Sequence, residues 1–226
     1  NVHDPTLPLS IQTGSVKLLC NLVDHIYRGP WVDAEEGRVL LVRILKTLVD
    51  KFENLRNFIR KLMKKLANKN KRFPTTKDSW TLAHTPRTED DFPEDNAREV
   101  KVLMNTMVFG LKTVVWCICN FRRSNDNQST SKRVLDDDEV SIVAKFLVHG
   151  LQCFKLYTCE SQEDPSKVQE EKDVLEHFAN VFTVMDPRSF RGVYSEQIET
   201  LFTHIVESEG NKLVPMIIPQ HFLQSS

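Results

Sequence analysis

The side chains that could carry chemistry are few and scattered. The seven histidines, His3, His25, His84, His149, His177, His204 and His221, fall in different segments. No HExxH occurs, and no CxxC lies near a His pair, which are the spacings a zinc site uses. Cys117 and Cys119 form a CxC inside a helical stretch. Residues two apart on a helix point to different faces, so the pair is poorly placed for joint ligation. With Cys20, Cys153 and Cys159 they read as core thiols, and an odd count of five without a signal peptide fits a reducing compartment. There is no GxSxG elbow, no GxxxxGK[ST] loop and no GxGxxG. The acidic pairs Glu35-Glu36 and Glu170-Glu171 read as helix starts, where they complement the dipole without a catalytic role. The expectation is a chain that is not an enzyme and holds no cofactor and no metal.

The best polar feature is basic. Arg60, Lys61, Lys64, Lys65, Lys69, Lys71 and Arg72 place seven positive charges within thirteen residues. One reading is an electrostatic surface for a partner, a nuclear localisation signal or a phosphate contact. The other is a solvated helix end whose cations complement the C-terminal dipole, and the opposing seam of Ile59, Leu62 and Leu66 favours it. The acidic group Glu89-Asp90-Asp91 is placed to cap the patch internally.

Those residues sit on elements that apolar spacing defines. Ile11, Ser15, Leu18, Leu19, Leu22, Val23 and Ile26 predict a first helix, with Ser10 as N-cap and Gly29-Pro30 as its stop. Leu41, Leu45, Leu48, Phe52, Leu55, Ile59, Leu62 and Leu66 alternate steps of four and three, which predicts one long helix. No other segment continues the heptad, so antiparallel neighbours explain the seam better than a coiled coil. Further helices are predicted at 97–122, 137–158, 167–185, 188–207 and 212–223. The domain reading is a helix pair at 1–68, a flexible polar linker at 69–96, and further helices over 97–226. Leu103 to Phe121 has the length of a membrane span, but Asn105 and a central Lys112 favour a buried core helix.

Composition agrees with this. Of 226 residues, 40% are apolar and only seven are Gly, which excludes general disorder, collagen and glycine-rich phosphate loops. Thirty Lys+Arg against 31 Asp+Glu exclude a polyanion binder of uniform charge, so direct nucleic-acid binding is not expected. The chain shows no signal peptide, and its final apolar segment before Ser226 reads as cut from something longer. No stretch alternates with period two between turn signals. The class is therefore all-α, a HEAT-like α-solenoid of antiparallel helix pairs and a fragment of a larger array.

Two strings say more than periodicity. LPLSIQTGSVKLLCNLVD (Leu7 to Asp24) and EEKDVLEHFANVFTVMDPRSF (Glu170 to Phe190) resemble the N-terminal helical-repeat region of the TRRAP family, the transformation/transcription-domain-associated proteins. A weaker likeness covers VFGLKTVVW, Val108 to Trp116. That family is the kinase-dead branch of the PI3-kinase-like kinases. The resemblance implies a nuclear, chromatin-directed coactivator scaffold of SAGA- and NuA4-type histone acetyltransferase complexes, with transcriptional activators and complex subunits as protein partners. It carries no functional residue onto this chain, because Leu18, Leu22, Leu175, Phe178 and Phe182 in the matching strings read as an inter-helix seam. The competing readings are a HEAT scaffold for nuclear transport or phosphatase assembly, and an enzyme with a dispersed site.

Overall fold

A computed structural model of the chain describes residues 4, 7–29, 34–71, 93–121, 134–158, 165–195 and 197. Five helices, α1 (Leu9–Arg28), α2 (Ala34–Lys71), α3 (Pro93–Cys119), α4 (Asp137–Thr158) and α5 (Pro165–Thr183), are followed by α6, helical over 187–195. The described residues contain no strand.

The helices form because each carries an apolar face and a start signal. α4 opens with the back-reaching half of a capping box. Glu139 sits three residues after Asp136 and accepts a hydrogen bond from its backbone N–H at 3.0 Å. α6 opens at Asp186-Pro187, where the Asp186 carboxylate accepts from the Arg188 N–H at 2.8 Å. α1 starts one residue before the predicted cap. Pro8 occupies the N-cap position with an extended backbone and no side-chain cap bond, so Ser10 already lies within the helix. α5 starts at Pro165, a residue pre-set for the first helical position. Glu170 and Glu171 consequently fall in its second turn rather than at its start. α3 likewise begins four residues before the predicted 97. The backbone at 69–71 and 93–96 is helical, while 72–92 lies outside the described residues. The helix predicted at 212–223 also lies outside them, as does 188–207 beyond its first turns.

Cross-helix contacts fix the directions. Lys51 of α2 bonds Gln12 of α1, and Phe146 and Gly150 of α4 meet Phe182 and Phe178 of α5 in reverse order. Consecutive helices therefore run antiparallel. Arg38, Phe52 and Arg56 of α2 meet Glu139, Phe146 and Gln152 of α4 in the same order. Cys20 and Tyr27 of α1 meet Gly110 and Trp116 of α3 in the same order too. Helices two apart are therefore parallel. The outcome is two layers, α1-α3-α5 and α2-α4, stacked along one direction as in an α-solenoid, with Ser189 and Gly192 of α6 set against Leu135 and Val140 at the start of α4.

The core lies between the layers. Leu41, Leu45, Leu48, Phe52, Leu55 and Ile59 of the predicted seam are all buried, and so are Met107, Leu111 and Ile118 of α3. At 38 residues, α2 is about 57 Å long at 1.5 Å per residue. α3 has the length and composition of a membrane span, yet 61% of that stretch is buried in the protein, against α1, α2 and α5. Two glycines permit the closest approaches. A Cβ at Gly150 would overlap the ring of Phe178, and one at Gly110 would overlap the Cys20 sulfur.

One packing expectation is corrected. Leu175, Phe178 and Phe182 are buried, but Leu18 is 65% exposed and Leu22 is 46% exposed. α1 instead buries Gln12, Thr13, Val16 and Val23. At about 100° per residue, Ile11, Leu18 and Leu22 stand roughly 160–180° around the helix from Cys20, which faces α3. They point along the stacking direction, away from every described neighbour.

Candidate docking surface

The polar groups fall into two sets, those that lock helices together and those on open surface. Arg38, buried at the start of α2, donates to Glu139 at 2.6 Å and to Asp136 at 3.0 Å. It clamps the first turns of α2 and α4. Farther along that seam, Arg56 donates to the Gln152 carboxamide oxygen at 2.8 Å and lies 3.5 Å from His149 Nδ1, while His149 Nε2 lies 4.0 Å from Glu53. Burial pushes the His149 pKa below its usual 6.5, Arg56 and Lys145 push the same way, and Glu53 and Asp50 oppose them. Lys51, buried between α1 and α2, donates to the Gln12 carboxamide oxygen, whose amide in turn donates to the Leu7 carbonyl at 2.6 Å. Burial lowers the Lys51 pKa, with Asp4 acting against it. These partners hold the helices in register.

The thiols are packed as expected. Cys117, Cys119 and Cys153 are buried and Cys20 is half-buried, while Cys159 lies outside the described residues. Burial pushes Cys20 and Cys117 up to about 11 and Cys153 up to about 12. A thiol with so little thiolate at neutral pH is a poor nucleophile. Among the described residues, no group of three His, Cys, Asp or Glu is placed to hold a metal ion.

Of the basic run, Arg60, Lys61 and Lys64 are exposed on α2. Lys65, Lys69 and Lys71 continue the same helix, though their side chains lie outside the described residues, and so does Arg72 entirely. The α2 backbone thus brings six of the seven onto one helix.

A surface feature absent from the sequence reading lies on the other layer. Val102, Phe109 and Trp116 repeat every seven residues on α3 and are exposed, Phe109 to 60% and Trp116 to 43%. They stand roughly 140–180° from the buried Met107, Leu111 and Ile118. Phe109, the middle member of this outward stripe, floors a groove of about 620 Å³ together with Asn105, Thr106 and Thr113, and Val102 and Trp116 flank it along α3. Lys17 and Asn21 of α1 form one wall, and Glu170, Asp173 and His177 of α5 form the other. The His177 ring meets Phe109 edge-on at 6.3 Å, and Tyr27 meets Trp116 at 5.3 Å. The step-of-seven spacing was readable in the sequence. The buried residues of α3 surround the stripe on both sides, so the whole helix read as core.

Two layers of antiparallel helix pairs, each helix stacked on the one two before it, define a HEAT-type α-solenoid segment. The family described as Tra1 HEAT repeat central region matches residues 1–226, and the chain belongs to it. The match corrects the expected position, since the region is the central rather than the N-terminal array. The chain is 26% identical over 242 residues to Transcription-associated protein 1 of Drosophila melanogaster, covering 95% of this chain and 6% of that protein. It is 27% and 26% identical to the Transformation/transcription domain-associated proteins of Danio rerio and Homo sapiens, over 267 and 276 residues, covering 99% of this chain and 7% of each relative. The chain therefore spans a small fraction of its curated relatives' length.

Proposed function

We propose that this chain is a scaffold segment of a nuclear transcription coactivator that docks activators and the subunits of SAGA- or NuA4-type histone acetyltransferase complexes. The observation that carries the reading is the family match across all 226 residues to transcription-associated relatives. The architecture supports it. Each helix buries its faces on neighbours and leaves long outer surfaces free, which is how a solenoid works by presenting surface. The lateral stripe Ile11, Leu18 and Leu22 on α1, with Leu40 and Phe58 on α2, gives apolar area for adjoining repeats of a longer array to cover. The basic end of α2, Arg60 to Arg72, offers acidic activator segments an electrostatic surface.

Purification of the full-length protein from nuclei, with identification of what accompanies it, tests the reading. Acetyltransferase subunits are the expected companions. Transport cargo or phosphatase subunits in their place would overturn it. Charge reversal at Lys61 and Lys64 tests the basic surface separately. Affinity for an acidic activator peptide falls and loses its salt dependence, and unchanged values reject that role.

A further inference from the structure

The groove over α3 is a different surface from the basic helix end, and its chemistry has the opposite sign. The exposed stripe that passes through it runs from Val102 to Trp116, fifteen residues and about 21 Å of helix, with Phe109 in the groove. That length suits a partner helix of about four turns lying along it, with anchors at i, i+3, i+4 and i+7. Two large aromatics stand open on this spine, and an apolar stripe on the outer face of a soluble layer marks an interaction site.

Charge selects among helices. Among the described residues that line the groove, the α5 wall presents the exposed carboxylates of Glu170 and Asp173, and the α1 wall presents one cation, Lys17. Asn105 also lines the groove, and its carboxamide oxygen is buried with no hydrogen-bond partner among the described residues. A buried acceptor without a donor is unfavourable until one arrives. Carboxylates and a waiting acceptor both ask for N–H groups.

From these we propose that the exposed stripe and groove of α3 dock an amphipathic helix of a partner protein, with an apolar edge seated on Phe109 in the groove and on Trp116 beyond it, and lysine or arginine along the flank facing α5. The aromatic floor supplies the anchor and the acidic wall supplies the orientation. The proposal deepens the scaffold reading by naming a class of partner, one unlike the acidic segments suited to the basic end of α2.

The test uses the full-length protein and two labelled synthetic helices of about fifteen residues, followed by fluorescence anisotropy. Both carry the same leucine edge, and one has lysine flanks where the other has glutamate. The lysine helix is expected to bind about tenfold or more tighter. Phe109→Ala weakens it by about tenfold or more, and the Glu170→Lys/Asp173→Lys pair inverts the preference. All three side chains are exposed, and circular dichroism confirms that the variants keep their helix content. Equal binding of both helices, or affinity indifferent to Phe109→Ala, overturns the proposal. So does a concentration-dependent dimer that Phe109→Ala dissolves, because the occupant is then a second copy. Co-purification of acetyltransferase subunits without lysine-helix binding sinks this inference alone. Lysine-helix binding without those subunits sinks the scaffold reading and leaves the groove.

Discussion

The two exposed apolar stripes of this segment have nearly the same spacing and different meanings. Ile11, Leu18 and Leu22 on α1 point along the stacking direction, opposite the side that meets α3. Val102, Phe109 and Trp116 on α3 point outward, between two neighbours already in place. In the proposed scaffold the first is a face for an adjoining repeat of an array, and the second is a face for something outside it. Direction relative to the stack, which spacing alone does not carry, separates a packing seam from a docking surface.

Charge insertion separates them most strongly. In the full-length protein, Leu18→Asp with Leu22→Asp forces carboxylates into a covered seam. It is expected to cost roughly 3–5 kcal/mol, read as lost hydrogen-exchange protection across α1. Phe109→Asp is expected to change protection of α3 by less than about 1 kcal/mol, since that side chain already meets water. Comparable losses at both sites would erase the distinction.

The contacts that aim the stripes can be broken in turn. Arg38→Met leaves Glu139 buried without its guanidinium and is expected to cost about 3 kcal/mol, read by exchange at the α2–α4 seam. Gly150→Ala drives a methyl into the Phe178 ring and is expected to cost about 1–3 kcal/mol, loosening α5 and the acidic wall of the groove.

A smaller effect comes from His149. Its folded pKa lies below 6.5, so the unfolded chain binds the proton first as pH falls. The contribution of neutral His149 is complete above pH 6.5 and is lost between 6.5 and the lower folded value. Exchange protection of α4 is expected to fall as pH drops below 6.5, and His149→Gln to flatten that fall. An unchanged pH response in the variant would assign the acid sensitivity elsewhere.

Much of the fold was legible because burial follows period. The seam from Leu41 to Ile59 and the spine Val100, Leu103, Met107, Leu111, Val114 and Ile118 are buried as their spacing predicts. The register of α1 was not legible. Its stripe is as apolar as a core face, while the buried side carries Gln12 and Thr13, satisfied by Leu7 and Leu9 carbonyls. Polar side chains with local partners do not look buried in a sequence. The Arg38 clamp was hidden for a related reason, since its partners lie 98 and 101 residues away. The groove escaped because its walls come from α1 and α5, about 150 residues apart, and only stacking brings them together.

Hydroxyl-radical footprinting of the full-length protein tests the central contrast most directly, because it reads side-chain access to water one residue at a time. Leu18 and Leu22 are expected to be protected, while Phe109 and Trp116 are modified readily. Strong modification of Leu18 and Leu22 together with protection of Phe109 and Trp116 would contradict the account.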